Sequence, residues 1–166
     1  MNANKLKNML TSYLIMTVVL ILGGCGGGSG GASGTAPLST VQLTVEAANV
    51  PAGTMLGALR GIITVPNGVD MRTLATGQVQ EGVITAAGTA ATGSPHVIGN
   101  YNTTARQLTF DVVSPTIGFG NGNCAVITFD IATGTTVTAA DFTASSVQGK
   151  DYTTAATVPG VTINLK

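Results

Sequence analysis

The run CAVITFDI, from Cys124 to Ile131, places Ala125, Ile127, Phe129 and Ile131 at every second position, with Val126, Thr128 and Asp130 between them. Successive side chains of an extended chain point to opposite faces, so this order makes one oily face and one wetter face. A helix would scatter the same residues around its circumference. The pattern recurs: STVQLTVEA aligns Val41, Leu43 and Val45, and RQLTFDVV aligns Leu108, Phe110 and Val112. LGALRGIITV, from Leu56 to Val65, is a longer run loosened by Gly57 and Gly61. VDMRTLA follows a turn at Pro66–Gly68, and GQVQEGVITAAG reads as one strand or as two bent at Gly82. FTASSVQ and VTINL close the chain. No long stretch has helical period, although TAADFTASSV has room for a single helical turn near Asp141. Short alternating runs bounded by Gly, Pro and Asn are the pattern of an all-β fold. The expectation is a two-sheet jelly-roll sandwich of about eight or nine strands. It should begin near Thr40 and bury Leu43, Ile63, Phe110, Ile127 and Phe129.

The N-terminal part follows a different logic. Lys5 and Lys7 precede a largely apolar run, Tyr13 to Leu22, and Gly23 and Gly24 follow. That is the layout of a secretory signal peptide. The alternative, an uncut membrane anchor, meets the difficulty that a span needs about 20 apolar residues. Leu22-Gly23-Gly24-Cys25 resembles the lipobox of bacterial lipoproteins. The resemblance implies cleavage before Cys25 and a lipid-bearing Cys25 as the mature N-terminus. Residues 1–24 are then the signal peptide, and the protein is an envelope lipoprotein held to the membrane by its acyl chains. Two or more chains give a stable hold, because each buried methylene contributes about 0.8 kcal/mol. Gly26 in place of Asp after the cysteine resembles the outer-membrane-sorted type of a Gram-negative cell. Gly26 to Ala36, GGGSGGASGTA, offers no side chain for a core and reads as a tether reaching roughly 18 Å. A phosphate-binding loop would need a strand before it and a helix after it. This division leaves 25–36 as lipidated cysteine and tether, and 37–166 as the folded domain.

Beyond Cys25 the basic residues are Arg60, Arg72, Arg106, Lys150 and Lys166, against seven acidic ones, a net charge of about −2. No basic run exists, which argues against a nucleic-acid partner. With Cys25 acylated, Cys124 has no partner for a disulfide. It stands at a strand start after GNGN, where a bulge could turn it inward as a reduced thiol.

Chemistry-bearing residues are sparse. His96 is the only histidine, and no carboxylate lies within ten positions of it. A metal ligand or general base would need such support, so a loop histidine is expected. Asp70, Asp141 and Asp151 sit near turns, where scattered oxygens could gather a calcium ion; solvated loop acids are the plainer reading. Asp111 and Asp130 fall opposite the apolar faces, as solubilising residues do. No carboxylate pair has glycosidase spacing. GFGNGN, Gly118 to Asn123, lies between strands and not before a helix, which fits a turn or bulged hairpin and not a dinucleotide loop. Sugar binding by stacking needs exposed rings. There is no tryptophan, and with Phe110 and Phe129 assigned to the core, Tyr101, Tyr152 and Phe119 remain as a weak platform. No nucleophile, base and orienting group come together, so no enzyme activity and no cofactor are expected.

Three segments carry a family resemblance. NVPAGTMLGALRGIITVPNGVDM (Asn49 to Met71), GNGNCAVITFDIATG (Gly120 to Gly134) and AADFT (Ala139 to Thr143) resemble successive parts of a cohesin-like domain, with GQVQEGVITAAG as its small-residue hairpin. The resemblance implies a nine-stranded jelly roll related to carbohydrate-binding modules, and a protein-binding interface on one sheet face. It assigns no interface residue. The chain has no calcium loop of the dockerin kind. The expected function is therefore a non-catalytic, envelope-anchored module for protein attachment. The alternatives are a polysaccharide-binding module and a structural subunit of an envelope assembly.

Overall fold

The structure, a computed structural model, describes residues 39–166. The expected signal peptide, Cys25 and the Gly/Ser-rich tether lie outside the described residues.

The alternating runs become ten strands: β1 (Ser39–Ala48), β2 (Leu56–Thr64), β3 (Val69–Asp70), β4 (Ile84–Ala86), β5 (His96–Asn102), β6 (Gln107–Val113), β7 (Gly122–Ile131), β8 (Thr143–Asp151), β9 (Thr157–Val158) and β10 (Thr162–Leu165). They form two five-stranded sheets. The first has the order β10-β1-β7-β3, with β4 also paired to β7; the second has the order β5-β6-β2-β8-β9. Every pairing is antiparallel. The chain passes repeatedly from one sheet to the other, so their inner faces share one core. The all-β, two-sheet expectation therefore holds. β3 and β9, only two residues each, carry the number of strands to ten.

Alternation sets which side is buried. Leu43 and Val45 of β1, Leu59 and Ile63 of β2, Leu108, Phe110 and Val112 of β6, and Ala125, Ile127 and Phe129 of β7 all point inward and are essentially inaccessible. All five expected core residues are among them. Phe129 meets Phe142 with ring centroids 4.9 Å apart, tilted by 36°. Phe142 is delivered by a 3₁₀ turn, Ala139–Asp141, at the position expected for a helical turn. That turn is fastened by a capping box, in which the Thr138 N–H and hydroxyl both donate to Asp141 Oδ2, at 2.8 and 2.9 Å.

Bulges break the alternation in three places. Val45 pairs with Ala125 but Glu46 pairs with Asn123, so Cys124 is an extra residue in β7. It turns inward beside Ala125, as its place after GNGN suggested, and its Sγ donates to the Val45 carbonyl at 3.4 Å. A second shift falls at Gly57, between Leu56 and Ala58. In the third, Arg60 and Ile62 pair with Gln148 and Ser145, so Ser146 and Val147 of β8 stand opposite Gly61 alone. Ser146 takes a positive φ of 51° there.

Two side chains tie turns in ways composition does not signal. Asn121 grips the Val50 backbone with both ends of its amide, accepting from the N–H at 2.8 Å and donating to the carbonyl at 3.1 Å. Arg106 donates to the carbonyls of Val65, Pro66 and Val69, holding the link from β2 to β3.

Candidate binding face

The residues that alternation turns outward on the second sheet form a grid across four strands. Cross-strand registers align His96, Val113, Ala58 and Lys150 in one row, then Ile98, Asp111, Arg60 and Gln148. The next row is Asn100, Thr109, Ile62 and Ser145, and the last is Asn102, Gln107, Thr64 and Thr143. Seven residues per strand and four strands give a footprint of about 24 Å by 19 Å. Most of its side chains are short and uncharged. Its middle holds a bidentate ion pair: Arg60 Nε and Nη2 donate to the two Asp111 carboxylate oxygens at 2.8 and 2.9 Å. The paired carboxylate holds the guanidinium above its ordinary pKa. The pair is flanked by Ile98, 56% exposed, and by the half-buried Ile62.

Several site expectations change here. His96 is the first residue of β5 and not a loop residue; it is exposed, opposite Val113. Asp111 and Asp130 do more than solubilise, since each is an ion-pair partner, Asp111 of Arg60 and Asp130 of Arg72 at 3.4 Å. Tyr101 is only 2% exposed and Phe119 only 1%, so neither can present a ring to a sugar. Both lie on inward-facing positions that their neighbours disguise: Tyr101 sits between two asparagines, and Phe119 between two glycines. Tyr152 remains, 41% exposed, its hydroxyl donating to the Thr116 carbonyl at 2.8 Å and its ring laid beside Gly118.

The turn acids are occupied locally. Asp151 Oδ1 accepts from the N–H groups of Thr153 and Thr154 and from the Thr154 hydroxyl, at 2.8–2.9 Å. These bonds, Thr154's first, lower its pKa. Asp141 is lowered likewise, first by the Thr138 N–H and then by its hydroxyl. Asp70 caps the Met71 N–H at 2.8 Å and lies opposite Asp130. Among the described residues no group of three or more His, Cys, Asp or Glu converges as metal ligands would. Burial pushes the Cys124 thiol up to about 12, which keeps it protonated and unreactive at neutral pH.

Ile98 and the rest of β5 could not be found from alternation alone. HVIGNYN carries a glycine and two asparagines, residues depleted in strands, and only its pairing with β6 reveals the edge strand. No protein-family model, no curated protein and no solved structure matches this chain.

Proposed function

We propose that the protein is a non-catalytic, envelope-anchored binding module that attaches another protein through the outer face of the β5-β6-β2-β8 strands. The observation that carries the reading is the composition of that face. It is a broad array of short neutral side chains with its central charges already paired, and with Ile98 and Ile62 available for burial. Covering its middle costs little desolvation of unpaired charge, Lys150 lying at one corner of the grid, and short side chains lose little rotamer freedom. Relief from the side chains raises the accessible area above the flat footprint, toward the roughly 800 Å² per partner of a standard interface. The lipobox resemblance at Cys25 supplies the anchor, and the glycine-rich segment supplies reach. The cohesin-like resemblance favours a sheet face as the contact.

A stacked carbohydrate is less well served. The proposed face carries no Phe, Tyr or Trp, and Tyr152 is the one exposed ring of those types among the described residues.

The test is capture from native envelope extract with the full chain as bait, comparing wild type with Ile62→Arg. A partner retained by wild type and lost from the variant supports the reading. Titration with cellulose oligomers, xylan and peptidoglycan fragments tests its rival. Saturable sugar binding that disappears in Tyr152→Ala would overturn the protein-partner reading.

A further inference from the structure

On one side of the sandwich neither sheet is closed. β5 is the edge of one sheet, and β4 hangs from β7 at the border of the other. Half of the β5 edge is covered by the chain itself. The Val79 N–H donates to the Gly99 carbonyl and the Tyr101 N–H to the Gly77 carbonyl, both at 2.9 Å, with Gln78 opposite Asn100 in antiparallel sense. At Gly82, whose φ is +80°, the chain turns away toward β4.

The remaining half has backbone groups to spare. Alternate residues of an antiparallel strand direct N–H and C=O to opposite sides. Gly99 and Tyr101 face the outer edge, so Val97 does too, and no described residue bonds its backbone from that side. Across the gap, Val83 and Ala87 spend their groups on β7, accepting from Thr128 N–H and donating to the Cys124 carbonyl. Between β4 and β5 lies an open cleft of ≈ 620 Å³, whose lining includes Gln80, Glu81, Ile84, Ala86, Val97 and Ile98. Its floor depends on Gly99: a Cβ there would come within 2.5 Å of Ile84 Cδ1 and 2.8 Å of Val79 Cγ2. Glu81 is the one acidic side chain on the lining, and no lysine or arginine offsets it.

An occupant that covers Val97 must replace the water on its N–H and C=O, because a backbone group buried without a partner loses its hydration uncompensated. A purely aliphatic ligand leaves both unpaired. An extended peptide satisfies both at strand spacing, and alternate side chains can enter the apolar floor.

We propose that this cleft binds an extended, basic-apolar peptide segment of a partner protein, added as an antiparallel strand to β5 at Val97. The segment continues the line begun by residues 77–79, and one basic side chain faces Glu81. The site adjoins the outer sheet face, sharing His96 and Ile98 at its rim, but rests on the open β5 edge and so does not depend on that face binding protein.

Two end-capped peptides test it, Ac-KVKVKVK-NH2 and Ac-EVEVEVE-NH2, titrated against the full chain with amide hydrogen exchange followed by NMR. The lysine peptide should bind saturably and slow exchange of the Val97 amide by at least about tenfold. Val97→Pro removes an outward N–H, which an edge strand tolerates, along with a side chain packed against the core, and should weaken binding by at least about tenfold. Glu81→Gln should erase the preference for lysine over glutamate peptide. Failure of the lysine peptide to bind, equal binding of both peptides to wild type, or an unprotected Val97 amide in the complex overturns the proposal. The exchange measurement needs no variant, so the outcome stands even if Val97→Pro folds poorly.

Discussion

The outer faces of the two sheets come from the same alternation but use charge differently. On the β10-β1-β7 side the ion pairs sit at the borders and join elements: Lys166 reaches Glu46 at 2.8 Å, beyond the end of β10, and Arg72 reaches Asp130 beside β3. The interior of that face holds Gln42, Thr44, Val126 and Thr128. On the β5-β6-β2-β8 side the ion pair lies in the middle, between neighbouring strands, and aliphatic Ile62 and Ile98 flank it. Border pairs join a strand to a neighbouring segment. A central pair neutralises the only charges in the middle of the face, leaving a surface that can be covered. The difference is what singles out the β5-β6-β2-β8 face for the proposed contact.

This comparison rests on a shared interior, and the largest expected effect tests that base. Phe129→Ala, which removes a fully buried ring from the sheet-to-sheet contact and from Phe142, should cost roughly 3–5 kcal/mol in chemical denaturation. A loss below about 1 kcal/mol would mean that the sheets do not depend on one interior.

The second test addresses the faces directly. Ile62→Arg should weaken capture of an envelope partner by at least about tenfold, equivalent to about 1.4 kcal/mol. Thr128→Arg, its counterpart on the other sheet, should leave capture unchanged. Equal losses would erase the distinction between the faces.

A third effect arises at the bulge that turns Cys124 inward on the border-paired sheet. Burial raises the folded thiol from 9.0 to about 12. Between those values the unfolded chain releases a proton that the folded chain keeps, so stability is undiminished below pH 9 and falls as pH rises toward about 12. The difference between the wild-type and Cys124→Ala stability curves should show this slope. A flat difference would place the thiol in water.

The smallest effect is that of the central ion pair on the fold itself. Arg60→Ala should shift Tm by no more than the spread of replicate melts, since exposed pairs contribute little and salt screens them. A clear drop in Tm would make the pair a structural tie like those at the borders of the other sheet.

Strands with regular aliphatic alternation were legible as sequence, because a period of two admits only one arrangement with oil inside. β1, β6 and β7 belong to this class; alternation alone would turn Cys124 outward, and only its place after GNGN pointed to the inward bulge. β5 was not legible: Gly99, Asn100 and Asn102 hide its strand character, and His96 consequently reads as a loop residue. For the same reason Tyr101 reads as a surface ring although it is buried. The ties made by Arg106 and Asn121 were equally hidden, because each bonds to backbone far away in sequence.

The sequence alone determined the β class and the inward side of each regular strand. Those properties depend on residues one or two positions apart. Tertiary structure decided that Ile98, Asp111, Arg60 and Gln148 share a row, and that half of the β5 edge stays open beside Glu81. Both depend on hydrogen-bond register between strands distant in sequence. A slip of one residue would send every side chain of a strand to its other face.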